Sequence, residues 1–251
     1  MKTLVFDIEL SKAMALIYPS HRPQYIHASN IIRDQFMPCA AWKWLHEDKI
    51  HIATVLDDKK KFKEDYSDDS LVVKALYDAV EEADIVVGHN SDNFDLKHLN
   101  WMAIKHGLPP LPLKQQIDTL KVCRQVFKAP SNSLDELVKA LIGDRKMDTS
   151  KGMHNRVAIG DAEAIAEMAR YNIQDVKIQD AFYLKIRPWM RNHPNQIIKD
   201  PTGETVITCD KCNSPNVHRK RVRYLKNGRA RVQYRCQEPE CRTYFTGDMV
   251  K

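Results

Sequence analysis

Seven residues near the N-terminus, Leu4-Val5-Phe6-Asp7-Ile8-Glu9-Leu10, limit what this chain can become. Side chains of a strand alternate between faces, so Leu4, Phe6, Ile8 and Leu10 point one way and Val5, Asp7 and Glu9 the other. An apolar strand belongs in a buried sheet, yet this one projects two carboxylates side by side. Burying paired anions is costly unless a cation or hydrogen-bond donors compensate. Either the strand runs along an edge with its acids in water, or the acids serve a site. The acid-x-acid spacing alone discriminates little, because Asp161/Glu163 and Glu238/Glu240 repeat it. The apolar setting is what gives it weight.

The rest of the chain supplies partners for such a strand. Strands are expected over residues 39–45 and 50–56, joined by a turn at Glu47-Asp48-Lys49. The mixed charge run 57–69 reads as a solvated loop. A helix over 71–82 follows, then a short buried strand over 84–88 centred on Ile85-Val86-Val87. Asn90-Ser91-Asp92 would cap a helix over 93–106 that stops near Gly107, before Pro109-Pro110. Shorter helices over 119–127 and 133–142, a polar loop over 143–159 and a long helix over about 161–187 complete the series. This order predicts the α/β class, with a mixed sheet flanked by helices and an antiparallel meander on one side. Its 251 residues suit one large domain plus a small module, and Pro194 and Pro201-Thr202-Gly203 mark the linker between them. The expected division is a body at 1–193, a linker at 194–205 and a module at 206–251.

Composition removes several function classes. Only eight glycines are present, and neither GxGxxG nor GxxxxGK[ST] occurs, which disfavours dinucleotide binding on a Rossmann turn and a Walker-type ATPase. Apolar runs fall far short of a membrane span. Asp7 and Glu9 interrupt any export signal, so residence in the cytosol is expected. The net charge is +6, and residues 201–251 hold all of it, with 11 Lys and Arg against five Asp and Glu. A basic module on a neutral body points to a polyanionic partner.

Two further acidic segments can join the first. Gly88-His89-Asn90-Ser91-Asp92-Asn93-Phe94-Asp95 lies at a strand-to-helix junction, with Asp95 in the first helical turn, where the backbone dipoles favour a carboxylate. Tyr171 and Asp175 are one turn apart on the long helix. They lie roughly 135° from its core stripe of Ile165, Ala169, Ile173 and Val176, toward a cleft or solvent.

Phe6-Asp7-Ile8-Glu9, the segment Gly88-His89-Asn90 through Phe94-Asp95, and Tyr171-x-x-x-Asp175 together resemble the three motifs of the DEDDy 3′–5′ exonucleases. The similarity covers about residues 1–190. It is strongest to the proofreading domains of family-B DNA polymerases and their stand-alone phage and bacterial relatives. The histidine branch of those enzymes would place His where Arg170 stands, and Tyr171 fits the tyrosine branch. Ile117-Asp118-Thr119-Leu120 also looks like a recurrent family segment, with Asp118 expected as a helix cap rather than a metal ligand.

The resemblance implies a ribonuclease H-like fold. It also implies two Mg²⁺ or Mn²⁺ ions held by Asp7, Glu9, Asp95 and Asp175, with Tyr171 orienting the attacking water and Asn90 and Phe94 contacting the terminal nucleotide. Oxygen-only ligands of high charge suit such ions, and crowded carboxylates raise one another's pKa, so the metal-free site should hold protons. The implied activity is 3′–5′ exonucleolysis, with DNA favoured. RNA exonuclease action and structure-specific endonuclease action stay open, as does a non-catalytic nucleic-acid adaptor. Implied partners are a nucleic-acid 3′ end or single strand and replication or repair proteins. The implied setting is a bacterial cytosol or that of a phage-infected cell.

Cysteine usage defines the module. Cys39 and Cys123 read as small core hydrophobes. Cys209-x2-Cys212 and Cys236-x4-Cys241 have the two-knuckle spacing of a structural zinc site. About fifty residues cannot fold on a hydrophobic core alone, which motivates a metal staple. Asn227-Gly228 between the knuckles signals a hairpin, as in a zinc ribbon. The wide second knuckle departs from the commonest ribbon. Residues 218–235 contain eight Lys and Arg and no acid. Arg219, Lys220, Arg221, Arg223, Arg229 and Arg231, with Tyr224 and Tyr234, are the expected nucleic-acid contacts. Docking to a protein is the alternative for this hairpin.

Overall fold

Five residues of β1 (Thr3–Glu9), Thr3, Leu4, Val5, Phe6 and Ile8, are buried, so both faces of the strand are covered. This comes from a computed structural model that describes all residues except 1, 19–24, 46, 191–192, 195–197, 200–204, 225–226 and 250–251. β2 (Met14–Ala15) and β3 (Ile31–Arg33) form a small antiparallel ribbon that no sequence signal announces. β4 (Cys39–Trp44) and β5 (Ile50–Thr54) are the expected hairpin. The run 57–69 is not the solvated loop expected from its charges. Asp58 accepts hydrogen bonds from the Lys60 and Lys61 N–H groups and starts the short helix α1 (Lys59–Glu64). Asp69 is buried, accepting from Met37 N at 2.8 Å and from His106 Nε2 at 2.6 Å.

α2 (Ser70–Glu82) leads into β6 (Ile85–Gly88), which is buried at every position. α3 (Asp95–Lys105) begins later than the sequence suggests, and no side chain of Asn90-Ser91-Asp92 caps it. Residues 90–94 instead form a turn, in which the Asn93 and Phe94 N–H groups donate to the Asn90 carbonyl. β7 (Gln115–Asp118) is masked in the sequence by its polar composition, and its register beside β6 makes it a strand. α4 (Thr119–Val126) and α5 (Leu134–Leu141) follow. The expected loop 143–159 contains another short helix, α6 (Met153–Ala158), which buries Met153 and Val157. α7 (Ala162–Ile186) is the long helix.

The sheet order is β5-β4-β1-β6-β7, with β4 and β5 antiparallel and β6 and β7 parallel to β1. This is the expected mixed sheet with a meander at one side. β1 is its central strand, which removes the edge-strand reading of its acids. Leu4, Phe6 and Ile8 share a core with Val72, Val73, Leu76 and Val80 of α2 and Leu99 and Met102 of α3.

The chain forms two compact units, Met1–Phe182 and Tyr183–Lys251, and the division falls inside α7. Most of the segment 194–205 lies outside the described residues. In the second unit, β8 (Ile198–Lys199) pairs with β9 (Thr205–Val206). β10 (Val217–Tyr224), β11 (Ala230–Cys236) and β12 (Tyr244–Met249) make an antiparallel sheet. Among the described residues no helix is long and apolar enough to cross a membrane.

Candidate active site

Asp7 and Glu9 stand on the face of β1 whose neighbours on β4 are Ala41 and Cys39, in register with them. These small residues leave room above the acids, and α7 fills it. Asn172 Nδ2 donates to Asp7 Oδ2 at 2.6 Å, and the Lys43 ammonium, two positions along the same face of β4, pairs with Asp180. The helix therefore runs opposite to β1 and lays Asp175 over the strand's acids. Ligand oxygens of Asp7, Glu9 and Asp175 all lie within 4.8 Å of one another. Two segments remote in sequence, β1 and α7, thus converge.

Asp95 joins from the other side. The β1–β6 register ends at Val5↔Val87, and past it the Ile8 N–H donates to Asp95 Oδ1 at 3.2 Å. That bond places Asp95 between Asp7 and Glu9 along the chain direction, although it is not one of the three mutually close ligands. The preceding turn is pinned tightly. A Cβ on Gly88 would lie 2.3 Å from Ser91 Cβ, so no side chain fits there. Asn90 takes φ 66°, a left-handed conformation that asparagine tolerates, and donates its N–H to Asp118 Oδ1 at 3.0 Å. The same oxygen accepts from the Leu120 and Lys121 N–H groups, so Asp118 is the helix cap expected of it. His89 Nε2 donates to the Asn132 carbonyl, and burial lowers its pKa. Phe94 is 40% exposed beside His98, so it is not a core aromatic.

Electrostatics mark the cluster as a place for cations. Burial, then Asp95, Glu9 and Asp175, push the Asp7 pKa well above the carboxylate range. Burial and then Asp175 raise Glu9 to about 8, and burial raises Asp95 to about 7 against the hydrogen bond from Ile8. Asp175 is raised by burial and held down in part by Lys146. Without added positive charge Asp7 and Glu9 keep protons at neutral pH, and Asp95 does so in part.

Lys146 is the functional neighbour that the sequence does not reveal. Its ammonium donates to Asp175 Oδ2 and, at 3.1 Å, to the Tyr171 hydroxyl. Burial opposes its charge, yet Asp175 and Tyr171 hold its pKa above the ordinary lysine value. It sits in a polar stretch whose pattern is that of a loop, and nothing there distinguishes it from Arg145 or Lys151. Asn172 is a second such neighbour, for which its place inside Tyr171-x-x-x-Asp175 is the available signal. A groove of about 450 Å³ opens beside these residues, lined by Arg145, Lys146, Met147, Asp148 and Gln174.

The donor set fits divalent cations. Three carboxylates within mutual ligating reach supply hard oxygens, and Asp175 Oδ1 is buried without a hydrogen-bond partner. A lysine ammonium on Asp175 already shows that the site takes positive charge.

The family model described as RNase_H superfamily matches residues 50–185, more than half of the chain. The chain belongs to the RNase_H superfamily. The matched span holds Asp95, Tyr171 and Asp175, while Asp7 and Glu9 precede it. Among solved structures, this RNase_H superfamily chain is similar to the family B DNA polymerase from the hyperthermophilic archaeon Pyrobaculum calidifontis, with 17% identity and a TM-score of 0.54. The similarity covers 74% of this chain and 24% of the polymerase, and at that identity it is a likeness of fold. The chain therefore spans about a quarter of the polymerase it matches. No curated protein matches it by sequence.

In the second unit, Cys209, Cys212, Cys236 and Cys241 bring their sulfurs within 4.8 Å of one another. Cys209 and Cys236 are buried with Phe245. Burial pushes the Cys236 thiol up to about 12 and raises Cys209 as well. Four sulfurs so placed fit a soft or borderline cation, whose charge would stabilise the thiolate forms. Tyr234 stacks on Phe245 at 5.6 Å and covers Gly247, so it serves the interior of this unit.

Proposed function

We propose that the chain is a metal-dependent 3′–5′ exonuclease of the tyrosine branch that removes nucleotides from DNA 3′ ends. The observation that carries this reading is the convergence of Asp7, Glu9 and Asp175, with Tyr171 one helical turn from Asp175. Asp7, Glu9 and Asp175 would hold Mg²⁺ or Mn²⁺, with Asp95 in support. When bound, such ions lower the pKa of water and stabilise charge on the leaving oxygen at phosphorus.

The chain's own residues do the positioning. Asn172 holds Asp7 by one oxygen, and the Ile8 N–H holds Asp95. The Tyr171 hydroxyl, fixed by Lys146, is placed to orient a water beside Asp175. Lys146 neutralises Asp175 and keeps the tyrosine and the carboxylate in one place; a divalent cation would compete with it for that oxygen. Exposed Phe94 and the pinned Asn90 turn supply a face for the terminal base and sugar. In the second unit we assign the four cysteines to one structural Zn²⁺.

The test uses 5′-labelled single-stranded DNA with Mg²⁺ or Mn²⁺. The expected product is a ladder shortening from the 3′ end in single-nucleotide steps, absent for Asp7→Ala. Discrete internal cuts, action on RNA alone, or no cleavage by zinc-loaded protein would overturn the reading.

A further inference from the structure

The strand pairing of the second unit sorts its basic residues onto faces in a way their sequence does not. Residues paired directly across an antiparallel ladder share a face, and faces alternate along each strand. On β11, Tyr234 and Cys236 point to the side of Phe245 and the cysteines, so Arg231, Gln233 and Arg235 point to the other. Their partners on β10 are Arg223, Arg221 and His218. Those on β12 include Tyr244 opposite Arg235 and Thr246 opposite Gln233.

Side-chain contacts agree with the register. Arg221 Nε donates to Gln233 Oε1 at 3.0 Å, and the Arg235 guanidinium sits over the Tyr244 ring at 5.4 Å. An irregularity between Arg219 and Arg221 makes this possible. With unbroken alternation Arg221 and Arg223 would share the face of Val217; the extra residue turns them to the face of His218. Arg219 pairs with Tyr234 and Tyr224 with Ala230, so both belong to the cysteine side.

We propose that the face formed by Arg221, Arg223, Arg231, Arg235, His218 and Tyr244 is a docking surface for a single DNA strand. Four guanidiniums with no acid anywhere in residues 217–236 complement a run of phosphates. Tyr244, 53% exposed, is the aromatic available to stack on an unpaired base, in place of the engaged Tyr234. The strand would lie across the sheet, with phosphates on the arginines of the two neighbouring strands. Only the choice of DNA rests on the exonuclease reading; the surface itself does not.

Two charge-matched triple variants test the geometry. Both are made in the zinc-loaded Asp7→Ala chain, so that the probe survives. Binding of a fluorescent oligothymidylate is measured by anisotropy over a salt series without divalent cations. Arg221→Ala/Arg223→Ala/Arg231→Ala should weaken binding at least tenfold and flatten the log-log salt slope by about 2, at roughly 0.7 for each phosphate that is no longer neutralised. Arg219→Ala/Lys220→Ala/Arg229→Ala removes the same charge from the same hairpin and should cost less than a third as much. Tyr244→Phe should bind normally, and Tyr244→Ala about fivefold more weakly or worse. Equal losses for the two triples, salt-independent binding, or preference for an RNA oligomer or an acidic polypeptide would overturn the proposal. Cleavage of the labelled ladder by the natural chain is read separately, so failure of this surface is distinguishable from failure of the nuclease reading.

Discussion

Replacing Glu9 with glutamine should make the metal-free protein more stable at alkaline pH than the natural chain. The Glu9 pKa rises from the ordinary 4.5 to about 8 on folding, through burial first and Asp175 second. Over that interval the folded chain keeps a proton that the unfolded chain has released. Stability therefore falls as pH rises. The contribution of the protonated group is fully present below about 4.5 and is lost progressively as pH climbs through about 8. Between pH 5.5 and 8 the linkage relation gives a loss of about 3 kcal/mol from this one residue. Glutamine has no such proton, so that part of the slope vanishes. Urea unfolding without Mg²⁺ or Mn²⁺, with zinc retained, reads it through Trp42 and Trp44 on β4, the strand beside β1. The natural chain should lose about 3 kcal/mol more than Glu9→Gln across this range, and Mg²⁺ or Mn²⁺ should flatten its slope. Parallel slopes for the two proteins would refute the reasoning, because Glu9 would then titrate alike folded and unfolded.

Other perturbations probe the neighbours. Lys146→Ala removes the cation that holds the Asp175 pKa down and Tyr171 in place, so the acid limb of the pH–rate profile should move to higher pH and turnover should fall. Asn172→Ala leaves Asp7 Oδ2 without its donor and should cost about 1–3 kcal/mol in urea unfolding, with weaker Mn²⁺ binding by calorimetry. Cys209→Ser should lower zinc content and expose residues after 183 to proteolysis, while the unfolding transition read by Trp42 and Trp44 stays in place.

Much of the fold is legible in the sequence because its signals are local. The apolar run of β1, the turn between β4 and β5 and the periodicity of α2 and α7 each specify an element without knowledge of partners. What escapes depends on partners. Gln115 and Gln116 become a strand through pairing with β6, and Lys59–Glu64 becomes a helix through the Asp58 cap. At the site, the alternation of β1 and the helical spacing of Tyr171 and Asp175 make the carboxylates candidates, and the resemblance to the exonuclease motifs is what joins them. Lys146 has no such periodicity, since its role exists only where its loop passes Asp175. In the basic hairpin, composition sets the charge but not its side of the sheet. The irregularity near Lys220 decides that, and Tyr234 falls to the interior with Phe245.

The central claim is that Asp7, Glu9 and Asp175 jointly hold divalent cations. Anomalous diffraction from crystals grown with Mn²⁺ tests it most directly. The expected result is a peak within about 2.1–2.3 Å of oxygens from all three carboxylates, with the Lys146 ammonium displaced from Asp175. Saturating Mn²⁺ with no peak among those residues, or peaks only at other surface acids, would contradict it.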